Sequence, residues 1–174
     1  MSADIRFTQM TDELGYSFAG EIRIGGNYVP LIRNGNEIYI SGQIPRVGDT
    51  VVVTGRAGAD ATLAQAQHAA KVCAMRALAL LQRNVGSLDE IKGLLRMNLY
   101  VQCAEHFTQQ SEVADAASDL LFFVLGQAGA HTRSSIGVYQ LPKNATVELD
   151  LIAVVRGITS SSREAPEALT ARRP

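Results

Sequence analysis

A chain of 174 residues, 47% of them hydrophobic, is long enough to bury one core and too short for two ordinary domains. Its 16 basic and 17 acidic residues leave a formal charge of −1. The basic ones are scattered, whereas a tight nucleic-acid binder needs a clustered basic footprint. No run approaches the ~20 apolar residues that span a bilayer, and the N-terminus lacks the basic-then-apolar pattern of a secretion signal. A cytoplasmic protein with no nucleic-acid or membrane partner is expected.

Residues 1–25 are weakly patterned and read as an N-terminal arm, residues 26–156 as the folded domain, and the polar residues 157–174 as a disordered tail. Gly35-Asn36 opens a strand from Glu37 to Ile44 that Pro45 halts; Val51 to Thr54 reads as a return strand or an extended segment. Asp60 is the expected N-cap of the longest helix, which runs to about Asn84 and ends before Gly86. Leu63, Ala66, Ala70, Cys73, Ala77 and Leu80 form its inward stripe, and so much alanine lets the helix lie close to a sheet. Leu95, Met97, Leu99 and Val101 alternate with polar residues in a central strand. A second helix spans Ser111 to Leu125, with Val113, Ala117, Leu120 and Val124 on its inner side.

The last two strands carry the chemistry. Period-2 runs on either side of Leu141-Pro142-Lys143-Asn144 read as a hairpin. Arg133, Ser135 and Gly137 share one face of its first strand, and Glu148 and Asp150 lie opposite the apolar face of the second. If the apolar faces of both strands cover one core, Arg133 and Glu148 emerge together. A guanidinium pairs bidentately with a carboxylate and a nearby acid can handle a proton or water, which suits a small carboxylate ligand. A surface ion pair on a sheet edge is the plain alternative. Cys73 and Cys103 read as small buried hydrophobes, and neither cysteines nor histidines have metal-ligand spacing, so no metal is expected.

The element order β-β-α-β-α-β-β makes an α+β fold with a mixed sheet. Two helices cover only one face, so the mixed face left open should self-associate.

Ile40-Ser41-Gly42-Gln43-Ile44-Pro45, Arg133-Ser134-Ser135, Leu141-Pro142 and Val147-Glu148-Leu149 occur here in the order and spacing of the RidA/YjgF-like reactive-intermediate deaminases. From Tyr28 to Val155 the chain resembles that family, and in particular a longer branch called endoribonuclease-like or chorismate-mutase-like. Tyr28-Val29-Pro30, Gly86-Ser87-Leu88-Asp89 and Ala116-Ala117-Ser118-Asp119-Leu120-Leu121 mark the branch. The resemblance implies a chorismate-mutase-like fold, a homotrimer with clefts between subunits, and no cofactor. It implies hydrolysis of 2-imino acids to 2-keto acids and ammonia. Arg133 would then hold the substrate carboxylate and Glu148 would orient the water. Tyr28, Ser41 and Gly42 would line the pocket, with Ser135 where deaminases carry a cysteine. The Asp115–Ser118 region stands where they have an asparagine, which alters the pocket rim. A non-catalytic sensor of small carboxylates is the alternative function; a ribonuclease, which needs paired acid and base groups beside a basic groove, fits poorly.

Overall fold

The computed structural model describes residues 1–157. Its frame is one five-stranded sheet. β1 (Leu31–Asn34) and β2 (Glu37–Gln43) form a hairpin around Gly35-Asn36, where Gly35 takes φ +60°. Short strands β3 (Arg46–Val47) and β4 (Thr50–Val51) make a separate ribbon. β5 (Ile91–Gln102), β6 (Thr132–Val138) and β7 (Val147–Val155) complete the main sheet in the order β1-β2-β7-β5-β6, with β5 and β6 parallel and the other pairs antiparallel. The first pair of strands is therefore Leu31–Asn34 with Glu37–Gln43, and the expected return strand at Val51–Thr54 shrinks to two residues of the ribbon.

Two long helices lie on one face, as the count of elements required. α2 (Leu63–Val85) packs on β2 and β7, and α3 (Gln110–Leu125) on β5 and β6, each also touching the other. α2 starts at Thr62, not Asp60: the Thr62 hydroxyl accepts from Gln65 N and the Gln65 side chain reaches back to Thr62 N, a full capping box. Asp60 instead closes the preceding turn by accepting from Arg56 N. Ala66, Ala69, Ala70, Cys73 and Ala77 are fully buried, so small side chains do bring α2 down onto the sheet. The facing residues of the sheet are Ile38, Met97, Leu99, Val101, Val147, Leu149, Leu151 and Ala153, all fully or almost fully buried.

A register shift between Leu94 and Arg96 turns Leu95 outward, so the inner face of β5 is Leu94, Met97, Leu99 and Val101. The N-terminal residues, expected as a weakly patterned arm, contain a helix whose apolar Ala3, Phe7, Met10 and Leu14 recur at helical spacing. α1 (Ala3–Leu14) buries Ala3, Phe7 and Met10 against α3 and α2, and Asp4 ties it down by accepting from Ser87 Oγ and Leu88 N. The proposed disordered tail lies outside the described residues beyond Gly157. Among the described residues no helix is long and apolar enough to cross a membrane.

Candidate functional site

β6 is not the hairpin partner of β7. After Val138 the chain crosses a turn in which Lys143 and Asn144 take φ of 58° and 55°, and enters the sheet between β2 and β5. Arg133 stands beside Met97 in the β5–β6 register, on the helix side; Glu148 stands beside Tyr100, on the open side. Within one chain, then, the two residues are separated by β5 and face opposite ways. The expectation that they emerge together fails because β6 is an edge strand. Its apolar Ile136 points to the open face and stays 45% exposed, so apolar side chains do not mark its inner face.

Glu148 belongs to a cavity at the end of β2. A bulge between Ile40 and Gln43 throws Ser41 and Gly42 out of register with β7. A Cβ on Gly42 would collide with the Glu148 carboxylate, so only glycine lets that side chain lie against the backbone here. Ser41 Oγ donates to Val29 O at 2.7 Å and Ser41 N to Pro30 O at 2.9 Å, pinning the segment that carries Tyr28. Tyr28, Gly42 and Glu148 line a cavity of about 180 Å³, with Ser41 holding its wall from behind. Burial, assisted by the neighbouring Asp150, raises the Glu148 pKa above the ordinary carboxylate value. Asp150 is raised by its own burial, and accepts from Asn98 Nδ2 at 2.9 Å.

Sequence reasoning missed the cations of this cavity. Arg23, Arg46, Arg76 and Lys143 share its wall. Arg76 is 5% exposed and its Nε donates to Gln43 Oε1 at 3.2 Å, while Gln43 Nε2 donates to Ser41 O at 2.9 Å. The available signal was an arginine three residues after Cys73, inside an alanine-rich buried stripe.

Arg133 occupies a second, separate constellation with Ser135 on the helix side of β6. Its Nη2 lies 2.6 Å from Asp115 Oδ1, and its Nη1 donates to Ser118 Oγ at 2.9 Å. His131 Nδ1 lies 2.6 Å from Gly129 O, which requires the proton on Nδ1; the neutral ring then accepts from Ser118 through Nε2 at 3.1 Å. The guanidinium is thus held by a relay running Arg133, Ser118, His131, Gly129. His131 is part of that support. Asp115 is the more exposed partner, with 57% of its side chain in solvent against 27% for Arg133. Among the described residues no group of three or more His, Cys, Asp or Glu side chains could hold a metal ion.

Comparison with known proteins bears on the fold and the lineage. The family described as "YjgF/chorismate_mutase-like, putative endoribonuclease" matches residues 15–155. The protein TCP17 of Trypanosoma cruzi is 39% identical over 127 residues, covering 72% of this chain and 79% of that protein. A crystal structure of a protein of unknown function from Agrobacterium tumefaciens is 35% identical, covers 88% of this chain and 95% of its own, and superposes with a TM-score of 0.79. A Shewanella oneidensis structure bearing the same endoribonuclease label is 26% identical, with a TM-score of 0.82 over 89% of this chain and all of that one.

Proposed function

This chain belongs to the YjgF/chorismate-mutase-like family, and from that premise we propose that it hydrolyses small 2-imino acids to 2-keto acids and ammonia. One observation carries the reading: the carboxyl of Glu148 enters a small cavity beside Tyr28, seated against Gly42 and buried enough to raise its pKa. A carboxylate in that setting accepts a hydrogen bond from a water and directs its lone pair at an electrophilic carbon. The protonated imine is already an electrophile, so the reaction needs a placed water, a held substrate and little else. Water oxygen bonds to the imine carbon as the C=N pair moves to nitrogen. One proton passes from oxygen to nitrogen by way of Glu148; the C–N bond then breaks as the remaining hydroxyl proton goes to Glu148, which hands it to the departing ammonia, so that the ketone and ammonium are released.

Arg133 holds the substrate carboxylate in this proposal. It reaches Glu148 only from another copy of the chain, because within one copy the two lie on opposite faces of the sheet. We therefore place the site at the boundary of a homotrimer in which the open sheet faces pack together and the β6 edge of one subunit reaches the Glu148 cavity of the next. That face carries Tyr39, Ile152 and Ile136 among the polar Arg96, Asn98 and Asp150, a mixed surface suited to self-association. Tyr28, Ser41, Gly42 and Glu148 come from one subunit, and Arg133 and Ser135 from its neighbour. The small size of the cavity favours a metabolite over an RNA chain.

The test generates a 2-imino acid in situ with an amino-acid oxidase and follows its disappearance with and without this protein. Accelerated loss of imine, with stoichiometric keto acid and ammonia, is expected. Tight keto-acid binding with no acceleration would replace the enzyme with a non-catalytic carboxylate sensor.

A further inference from the structure

The cavity around Glu148 holds more positive charge than a water-positioning carboxylate requires. Arg76 is buried to 5% exposure inside an apolar helix stripe, an expensive place for a guanidinium. Its hydrogen bonds go to uncharged acceptors: Gln43 Oε1, Arg46 O and, at 3.5 Å, Arg23 O. A guanidinium has five N–H donors, so two remain for the cavity that Arg76 lines. Among the described residues no carboxylate lies within ion-pair distance of Arg76 or of Lys143. Arg23 and Arg46 share the exposed Asp49 at 3.1 Å each, and Arg23 also lies 3.7 Å from the exposed Glu21, surface ion pairs weak enough to exchange for a better anion.

Lys143 is held at the same mouth by backbone in the left-handed region, which a lysine adopts only at a cost. Four cations therefore line the same cavity as Glu148, whose anionic form is itself disfavoured by burial. The cavity, at about 180 Å³, falls below the ~300–1,000 Å³ usual for drug-sized ligands. It suits a molecule of a few carbons carrying negative charge.

Resting on the hydrolase reading above, we propose that the substrate is a 2-imino dicarboxylic acid, its second carboxylate seated among Arg76, Arg46, Arg23 and Lys143 in the cavity that Glu148 enters. The first carboxylate then goes to Arg133 of a neighbouring copy, and the imine carbon lies between two anchors of like charge. Arg76 supplies the planar, desolvated donors for a bidentate contact, and the three outer cations attract the anion and close over it. The reaction is unchanged: one water is consumed and one ammonia released, giving a 2-keto dicarboxylic acid. The supplying reaction must be one that leaves a free imine on the carbon skeleton of an acidic amino acid, such as oxidation of its amine.

The experiment compares imines made in situ by oxidation of aspartate or glutamate with those made from alanine or leucine, using the full chain. At least a tenfold higher kcat/KM for the dicarboxylic imines is expected. Lys143→Ala and Arg23→Ala, surface changes that spare the core, should bring the dicarboxylate-to-monocarboxylate ratio toward one; Arg76→Lys should do so with altered KM if it folds. Equal or better turnover of the monocarboxylic imines would overturn the substrate class and leave the hydrolase reading standing. Should no imine be turned over, the hydrolase reading falls, and calorimetry decides the pocket by itself. Oxaloacetate and 2-oxoglutarate binding at least tenfold more tightly than pyruvate, with the gain lost in Lys143→Ala, supports the dicarboxylate site; equal affinities overturn it.

Discussion

The surroundings of Glu148 and those of Arg133 solve opposite problems with the same means. Glu148 is a carboxyl that burial makes reluctant to ionise, with no hydrogen-bond partner among the described residues and a backbone groove at Gly42 cut to fit it. Arg133 is a cation fully supported by its neighbours, with Ser118 and His131 behind it and Asp115 in front. In the proposed hydrolysis the first would pass the protons, since burial already disfavours its ionised form. The second, in the same proposal, would bind, since a guanidinium locked by a relay loses little freedom when a carboxylate replaces Asp115. One residue is prepared to change and the other to stay.

The largest effect expected from breaking this contrast is at Glu148. Glu148→Gln keeps size and hydrogen bonding but removes basicity, so turnover should fall by about 10²-fold with keto-acid affinity retained. Steady-state imine hydrolysis and calorimetry read the two quantities separately, and a wild-type rate would make Glu148 structural. Next comes Arg133→Ala, which should weaken keto-acid binding by about 2 kcal/mol, roughly thirtyfold, while the fold persists. Calorimetry with undiminished affinity would remove Arg133 from the site.

A smaller effect tests the two together. If each site takes Arg133 from one subunit and Glu148 from the next, trimers assembled from equal amounts of Arg133→Ala and Glu148→Gln chains should regain roughly a quarter of wild-type sites. Co-expressed mixtures that stay as inactive as either parent would place both residues in the same subunit's site, or in none. Light scattering at micromolar concentration checks the premise, because a monomer would leave Arg133 and Glu148 permanently apart.

The smallest effect is on stability and has a definite sign. Glu148 has a folded-state pKa above its ordinary value, so its contribution to stability is full at low pH and is lost as pH rises through the raised value. Glu148→Gln removes that loss. Thermal unfolding of the variant should therefore occur at a higher temperature than wild type at pH 7, with the difference gone at pH 4. A variant less stable at pH 7 would mean that the ionised carboxylate is stabilised by partners on another subunit.

Much of this molecule could be read before its structure. Ala66, Ala70, Cys73 and Ala77 announced a helix lying close on a sheet, Val113 to Val124 announced the second, and the Ser41-Gly42 and Arg133 motifs pointed to the family. These signals are legible because they are local: a helix stripe repeats within a few residues, and a motif is a string. The capping of α2 was misread by two residues because Asp60 and Thr62 are both good caps, and only the Gln65 side chain, reaching back, chooses between them.

What no pattern along the chain could settle is which strands become neighbours. The turn around Lys143 reads as a hairpin, yet β7 inserts between β2 and β5 and leaves β6 at the edge, since that arrangement buries Val147, Leu149, Leu151 and Ala153 on a central strand. Strand parity is a property of each strand alone; the face that counts as inside is decided by what packs on it. The same limit hid the cation cavity. Arg23, Arg46, Arg76 and Lys143 come from four different parts of the chain, and their meeting depends on the bulge at Ser41-Gly42 and on the turn before β7. The sequence by itself determined the two long helices, the main strands around them, the family and the residue types able to act. Tertiary structure alone decided which of them face each other, because pairing energies between distant segments are won by burying a common core, and that competition leaves no trace in any one segment.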